Sequence, residues 1–82
     1  MEDKSKQDYQ IIFGESLRKL RVQADFSQEE LAERAGIDRS YLGGIERGEH
    51  NLALINIIKI AKALNLSPHR LLEPLAAHNG DT

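Results

Sequence analysis

A short polar stretch, Arg39-Ser40-Tyr41, directly follows Asp38, a residue type that commonly caps the start of a helix. An arginine guanidinium can donate two parallel hydrogen bonds to the O6 and N7 atoms of guanine, which suits recognition of DNA bases. Arg47 follows at a spacing that keeps it near the same helix face. In isolation, these side chains indicate an ordinary solvated helix face. The elements predicted around them are needed to distinguish a solvated face from a DNA-binding face.

The other chemistry-bearing residues argue against catalysis. The chain has no cysteine, which excludes a thiolate zinc site and a cysteine nucleophile. Its three histidines show no metal-ligand spacing. The acidic group Glu29, Glu30 and Glu33 is interpreted as helix-start charge, because nothing nearby supplies a base or a metal ligand. We therefore expect no enzymatic activity and no cofactor, and no small-molecule ligand is evident.

Five helical patterns and no strand pattern run along the chain, so the predicted fold class is all-α. Capping residues, glycine or proline bound each pattern. Ser27 and Glu30, for example, form a capping box that opens the second helix. The predicted helices cover residues 9–24, 27–36, 38–48, 53–64 and 67–74, with Pro74 ending or kinking the last one.

The fourth and fifth helices carry more apolar residues than a single small core needs. The inward stripe of the fourth helix is predicted to contain Leu54, Ile57, Ile58, Ala61 and Leu64, with Ile55 and Ile60 on its flanks. A symmetric dimer would bury the surplus. The predicted dimer interface contains Ile55, Ile60, Leu71, Leu72 and Leu75, although these residues could equally belong to the core.

Residues 27–48 predict two short helices joined by a tight turn, which is the architecture of a helix-turn-helix. Ala32 is small where the two helices must cross, and Gly36 permits the left-handed backbone of the turn. The outer face of the second helix is then free to enter the major groove of B-DNA. Gly43 and Gly44 in this helix indicate close approach of its backbone to DNA or to the preceding helix.

Residues 13–72 resemble the Cro/repressor (XRE-like) helix-turn-helix family. The resemblance rests on Ser27-Gln28-Glu29-Glu30-Leu31-Ala32, Ala35-Gly36 and Ile45-Glu46-Arg47-Gly48. Residues 37–47 together with Asn51 are most similar to the controller proteins of bacterial restriction–modification systems. The resemblance implies a five-helix, repressor-like bundle that regulates transcription as a homodimer on palindromic operators.

The resemblance also implies roles for individual residues. The base-reading positions of the family correspond to Arg39, Ser40 and Tyr41, and its phosphate-binding positions to Gln28, Arg47 and Asn51. Arg21 and Glu46 match a buried ion pair that ties the first helix to the third. Gly44 stands where some repressors carry a base-reading side chain, which shifts specificity toward Arg39 or toward DNA shape. His50 stands at a position that is often basic in controllers.

The chain has 82 residues and a formal net charge of −2, which is room for one domain. We expect residues 1–8 and 78–82 to be flexible tails around a domain of residues 9–77. No apolar run approaches the roughly 20 residues of a membrane helix, and the N-terminus lacks the order of a signal peptide. We therefore expect a cytoplasmic protein with no membrane partner.

These features predict a sequence-specific regulator of restriction–modification genes that binds double-stranded DNA as a homodimer. An antitoxin or a phage-type repressor is one open alternative. A helical protein-interaction adaptor is another. The mildly acidic net charge slightly favours this adaptor. However, cations gathered on one face would still bind DNA. A contact with RNA polymerase through the acidic residues of the second helix is a further open hypothesis.

Overall fold

The computed structural model describes residues 4–79, which form five α-helices and no strand. The helices are α1 (Lys4–Gln23), α2 (Gln28–Ala35), α3 (Arg39–Glu46), α4 (Leu54–Ala63) and α5 (Pro68–Asn79). Helix α1 packs against α3 and α5, α2 packs against α3 and α4, and α4 packs against α5. The predicted all-α class with five helices is confirmed. None of the helices in this range is long and apolar enough to cross a membrane.

The helix boundaries follow from local capping. The Ser27 hydroxyl accepts a hydrogen bond from the Glu30 amide at 3.0 Å, and the Glu30 carboxylate accepts one from the Ser27 amide at 2.8 Å. This is the predicted capping box. Asp38 has the extended backbone of an N-cap residue but makes no side-chain cap hydrogen bond. The start of α3 therefore depends on packing more than the start of α2 does.

Four of the helices are followed by a residue with a left-handed backbone. These residues are Asp25 (φ 66°), Gly36 (φ 71°), Gly48 (φ 80°) and Asn65 (φ 59°). In each case the next amide donates to a carbonyl five residues back, at 2.9–3.2 Å. This hydrogen bond is characteristic of the Schellman motif, which satisfies carbonyls at a helix end and turns the chain sharply. Short helices can therefore follow one another after only a few residues.

The core is formed by apolar side chains from all five helices. Its members include Phe13, Leu17, Leu31, Leu42, Ile45, Ile60 and Leu71. Helices α1 and α3 are in close contact at Gly14, where a Cβ atom would overlap the backbone carbonyl oxygens of Ile45 and Glu46. Glycine at this position lets α3 lie directly on α1, which fixes the helix that carries the predicted DNA-facing residues.

The predicted dimer interface is wrong for two of its residues. Ile60 and Leu71 are 0% and 1% exposed, so they belong to the core of the single chain. The predicted stripe of α4 is also wrong at Leu54, which is 71% exposed. Because α4 contacts both α2 and α5, its C-terminal half is enclosed from two sides while its first turn stays in solvent.

Two predicted helix boundaries are also corrected. Helix α1 begins at Lys4 rather than near Tyr9, because residues 4–8 contain no glycine or proline that would stop it. Helix α5 continues through Pro74 to Asn79. Proline there removes only the hydrogen bond to the carbonyl of Arg70, and Arg70 is exposed to water. Residues 4–8 and 78–79 are thus helical, while residues 1–3 and 80–82 of the expected tails lie outside the described range.

Candidate nucleic-acid interface

The turn between α2 and α3 fixes the angle between these two helices. Gly36 adopts φ 71°, and the Ile37 amide donates to the Ala32 carbonyl at 3.0 Å. Ala32 is 2% exposed and Leu42 is fully buried, so the two helices share one apolar contact surface. This arrangement gives Ala32 and Gly36 the positions that the sequence predicted for them.

A nearly buried ion pair joins α1 to α3. Two nitrogen atoms of Arg21 contact the two carboxylate oxygens of Glu46, at 2.7 Å from Nε and 3.1 Å from Nη2. The Arg21 and Glu46 side chains are only 11% and 3% exposed. Arg21 also donates to the carbonyl of Phe26 at 2.8 Å, which holds the segment before α2. The structure thus brings together the two residues expected to form a structural pair.

Gln28 belongs to the same network. Its Nε2 atom donates to Oε1 of Glu46 at 3.0 Å, so the side chain reaches from the start of α2 toward α3. A shallow recess opens beside it and is lined by Arg21, Ser27, Gln28, Glu29 and Arg39. The guanidinium of Arg39 and the positive end of α2 favour an anion in this recess, whereas Glu29 opposes one and the charge of Arg21 is already balanced by Glu46. The recess brings together Gln28 and Arg39, two of the predicted DNA-facing residues.

The first turn of α3 distributes its side chains across a wide arc. Successive residues of a helix are separated by about 100°, so Arg39, Ser40 and Tyr41 point in three different directions. Arg39 and Ser40 are exposed, and Arg39 borders the recess beside α2. Tyr41 is half-buried and lies on the side of α4. The two exposed residues therefore reach solvent directly, whereas Tyr41 is held by its surroundings.

Tyr41 is held by two contacts that the sequence did not suggest. Its hydroxyl oxygen accepts a hydrogen bond from Nδ2 of Asn56, at 3.1 Å. Its ring centroid lies 4.9 Å from that of His50, with the two planes tilted by 48°. Asn56 stands 15 positions away in the sequence, so no local signal could have linked it to Tyr41.

The second turn of α3 is covered by side chains of this chain. A Cβ atom on Gly43 would lie 3.2 Å from an Arg47 nitrogen and 3.6 Å from the Gln28 amide oxygen. A Cβ atom on Gly44 would lie 2.5 Å from Nε2 of His50. The expected close approach at Gly43 is therefore made to Gln28 of α2 and to Arg47, and the approach at Gly44 is made to His50.

Arg47 is paired on the surface. Its Nε and Nη2 atoms contact the Glu49 carboxylate at 2.9 Å and 3.3 Å, with both side chains more than half exposed. The hydrogen bond to Glu49 raises the pKa of Arg47, and the same bond lowers the pKa of Glu49. The Glu49 carboxylate, two residues away, therefore competes with other anions for the Arg47 guanidinium. Asn51, the third predicted phosphate-binding residue, is exposed in the segment between α3 and α4.

Among the residues that the structure describes, no group of three His, Cys, Asp or Glu side chains could hold a metal ion. The chemistry of the site is that of hydrogen bonding and charge. Two short helices joined at a tight turn, with a polar first turn on the second helix and a polar recess beside it, define a helix-turn-helix domain.

Comparison with known proteins agrees with this class. The helix-turn-helix family matches residues 17–71, and the chain belongs to this family of transcription regulators. The control protein C.SmaI of Serratia marcescens is 45% identical over 65 residues, which cover 79% of this chain and 77% of that protein. The control protein C.BamHI of Bacillus amyloliquefaciens is 42% identical over 64 residues, which cover 77% of this chain and 79% of that protein.

A longer relative is also similar. A hypothetical transcription factor of Neisseria meningitidis is 42% identical over 69 residues, which cover 84% of this chain. The matched segment is only 65% of the length of that protein.

Solved structures share the fold. The restriction-modification controller protein C.AhdI of Aeromonas hydrophila superimposes with a TM-score of 0.75 at 50% identity, over 76% of this chain and 94% of that one. SinR, a master regulator for biofilm formation solved in complex with DNA, gives a TM-score of 0.70 at 36% identity, over 73% of this chain and 97% of that one. The predicted resemblance to controller proteins is confirmed.

Proposed function

We propose that this protein regulates restriction–modification genes by binding a palindromic DNA site as a homodimer in the bacterial cytoplasm. The observation that carries the proposal is the exposed first turn of α3, where Arg39 and Ser40 reach solvent beside the recess at the start of α2. A major groove admits one helix in this orientation, and the N-terminal residues of that helix contact the base edges.

The proposed contacts divide into two groups. Arg39, Ser40 and Tyr41 contact bases, with Arg39 suited to bidentate hydrogen bonds with guanine. Gln28, Arg47 and Asn51 contact phosphates on either side of the groove. Gln28 is supported best in this second group, because its recess contains the start of α2 and the guanidinium of Arg39.

The net charge of −2 opposes DNA binding only weakly, because cations gathered on one face can still bind phosphates. Each bound phosphate releases counterions, and the logarithm of the affinity should fall with the logarithm of salt concentration by about 0.9 per phosphate neutralised. A dimer presents two such surfaces, which doubles the number of phosphates bound. We expect weak binding to any duplex and a much tighter complex with the operator.

The proposed dimer interface uses the apolar residues that the single chain leaves partly exposed. Ile55 is 56% exposed, Leu72 is 38% exposed and Leu75 is half-buried. Leu54, which is 71% exposed, extends the same apolar turn of α4. Two copies joined through these residues would carry paired α3 helices, and a two-fold operator requires them about 34–36 Å apart.

Selection of bound sequences from random duplex DNA tests the proposal. We expect enrichment of a palindrome whose half-sites are separated by about one helical turn. Enrichment of a single unpaired half-site would contradict the dimer. Absence of binding to any duplex at low salt would contradict DNA recognition and would support the protein-interaction adaptor instead.

A contact with RNA polymerase is a separate part of the proposal. Glu29 and Glu33 are exposed on α2 and would lie beside a bound operator rather than within the groove. Replacement of Glu33 by Gln is expected to leave operator affinity within twofold and to reduce activated transcription in vitro. Unchanged activation by the variant would rule out Glu33 as the contact.

A further inference from the structure

Two side chains of this chain hold Tyr41. Asn56, on the first turn of α4, donates to the Tyr41 hydroxyl oxygen at 3.1 Å. His50 packs its ring 4.9 Å from the Tyr41 ring. The phenol is therefore restrained at its hydroxyl by Asn56 and at its ring by His50.

The position of His50 depends on a glycine. A Cβ atom on Gly44 would lie 2.5 Å from Nε2 and 2.8 Å from Cδ2 of His50, which is too close for real atoms. The imidazole edge thus occupies the space that a side chain at position 44 would fill. Gly44, His50, Tyr41 and Asn56 thus form a continuous series of contacts.

The hydrogen bond from Asn56 determines what Tyr41 can offer to a ligand. A tyrosine hydroxyl has one O–H donor and can accept through its oxygen, whereas an amide nitrogen can only donate. Because Asn56 donates to the oxygen, the O–H group of Tyr41 must point away from Asn56. It remains available as a donor to another molecule.

We propose that Asn56 is a specificity-determining positioning residue, which makes Tyr41 a hydrogen-bond donor to a base acceptor in the major groove. His50 restrains the ring of Tyr41 and so supports this orientation. This inference rests on the proposed binding of operator DNA. The major-groove acceptors are N7 of either purine, O6 of guanine and O4 of thymine, whereas the exocyclic amino groups of adenine and cytosine are donors.

Four variants test the inference. The base preference of each variant is compared with that of the wild-type protein, as determined by selection from random duplex DNA. Tyr41→Phe removes the O–H group. Asn56→Asp replaces the amide donor with a carboxylate that accepts from Tyr41 and so turns the O–H inward. Asn56→Ala removes the amide and leaves the O–H free to rotate. Asn65→Asp adds the same charge just beyond the other end of α4 and serves as the control.

We expect Tyr41→Phe and Asn56→Asp to lose about tenfold of the discrimination at one and the same base pair, a typical effect of one mismatched position. Asn56→Ala should lose less, and Asn65→Asp should match the wild type. Thermal unfolding of each variant establishes that it is folded. Asn56→Ala keeps the test usable if Asn56→Asp does not fold, because alanine suits a helix position.

Two results would overturn the inference. One is an unchanged base preference in Asn56→Asp and Asn56→Ala while Tyr41→Phe loses it. The other is an equal loss of affinity for all sequences in Tyr41→Phe, which would indicate a phosphate contact instead of a base contact. Failure of the proposed function is distinguishable from both, because the wild-type protein would then select no sequence at all.

Discussion

The Nε atom of Arg21 lies 2.7 Å from Oε2 of Glu46, across an interface in which both side chains are almost closed to solvent. Glu46 also accepts from Gln28, so one carboxylate connects α1, α2 and α3. The helix that carries Arg39 is thereby fixed relative to the helix that carries Gln28. The pair positions the proposed DNA surface without being part of it.

Loss of the Glu46 carboxylate should destabilise the fold strongly. Glu46→Ala leaves the buried Arg21 charge without its partner, and we expect a loss of about 3–5 kcal/mol in the free energy of unfolding. Urea denaturation monitored by circular dichroism measures this change. Arg18→Ala, at an exposed position of the same helix α1, should change stability by no more than about 0.5 kcal/mol. Similar losses in the two variants would contradict a structural role of the pair.

Removal of the Glu49 charge should strengthen DNA binding. Glu49→Gln releases Arg47 from its surface partner, so we expect a severalfold rise in affinity for any duplex. The salt dependence should become steeper by about 0.9 for each phosphate that a released Arg47 binds, and thus by about 1.8 for a dimer. Fluorescence anisotropy over a salt series measures both quantities. Glu15→Gln changes the net charge equally at an exposed position of α1, and an equal rise in that variant would exclude a local effect.

Ile55→Glu should disrupt the proposed dimer and leave the monomer folded. Ile55 is 56% exposed and lies on the first turn of α4. Val22 is 55% exposed on α1, outside the proposed interface, so Val22→Glu is a matched control. Sedimentation equilibrium should give a weaker dimer for Ile55→Glu alone. If both variants dimerise as the wild type does, the interface lies elsewhere.

The capping box predicts a specific dependence of stability on pH. The backbone hydrogen bond from Ser27, with a smaller contribution from its side chain, holds the pKa of Glu30 below its ordinary value of 4.5. A carboxyl group whose pKa is lowered by folding stabilises the fold above its unfolded pKa, and this contribution is lost as the pH falls through the folded pKa. We therefore expect Glu30→Ala to be less stable than the wild type at neutral pH.

The stability difference between Glu30→Ala and the wild type should narrow in acid. Urea denaturation at a series of pH values measures it. Glu29→Ala, in the same first turn of α2, serves as the control for the charge at the helix start. A difference that stays constant from neutral pH to strong acid would contradict the role of the ionised carboxylate.

Features that depend on near neighbours could be predicted from the sequence. Ser27 and Gly36 act through hydrogen bonds within a few residues, so the start and the end of α2 were predictable. The ion pair of Arg21 and Glu46 spans 25 positions and was implied only by the family resemblance. Similarity to a family therefore supplied the distant contact that helical spacing alone does not determine.

The errors about burial and distant contacts have a common physical cause. Ile60 and Leu71 were assigned to a dimer interface because helical spacing gives the direction of a side chain but not the helices that surround it. Whether an apolar residue is buried depends on how α2, α4 and α5 meet, which is a property of the complete fold. Asn56 was missed for the same reason, since its contact with Tyr41 forms only when α4 packs beside α3.

The two glycines in the second turn of α3 restrict how this regulator could be retargeted to a new operator. Positions 43 and 44 carry no side chain to exchange, and any replacement at position 44 would first have to displace the imidazole of His50. A mutant library for altered recognition is therefore best concentrated on positions 39–41, with position 50 varied together with position 44. Variation of α3 without position 50 would leave position 44 fixed as glycine.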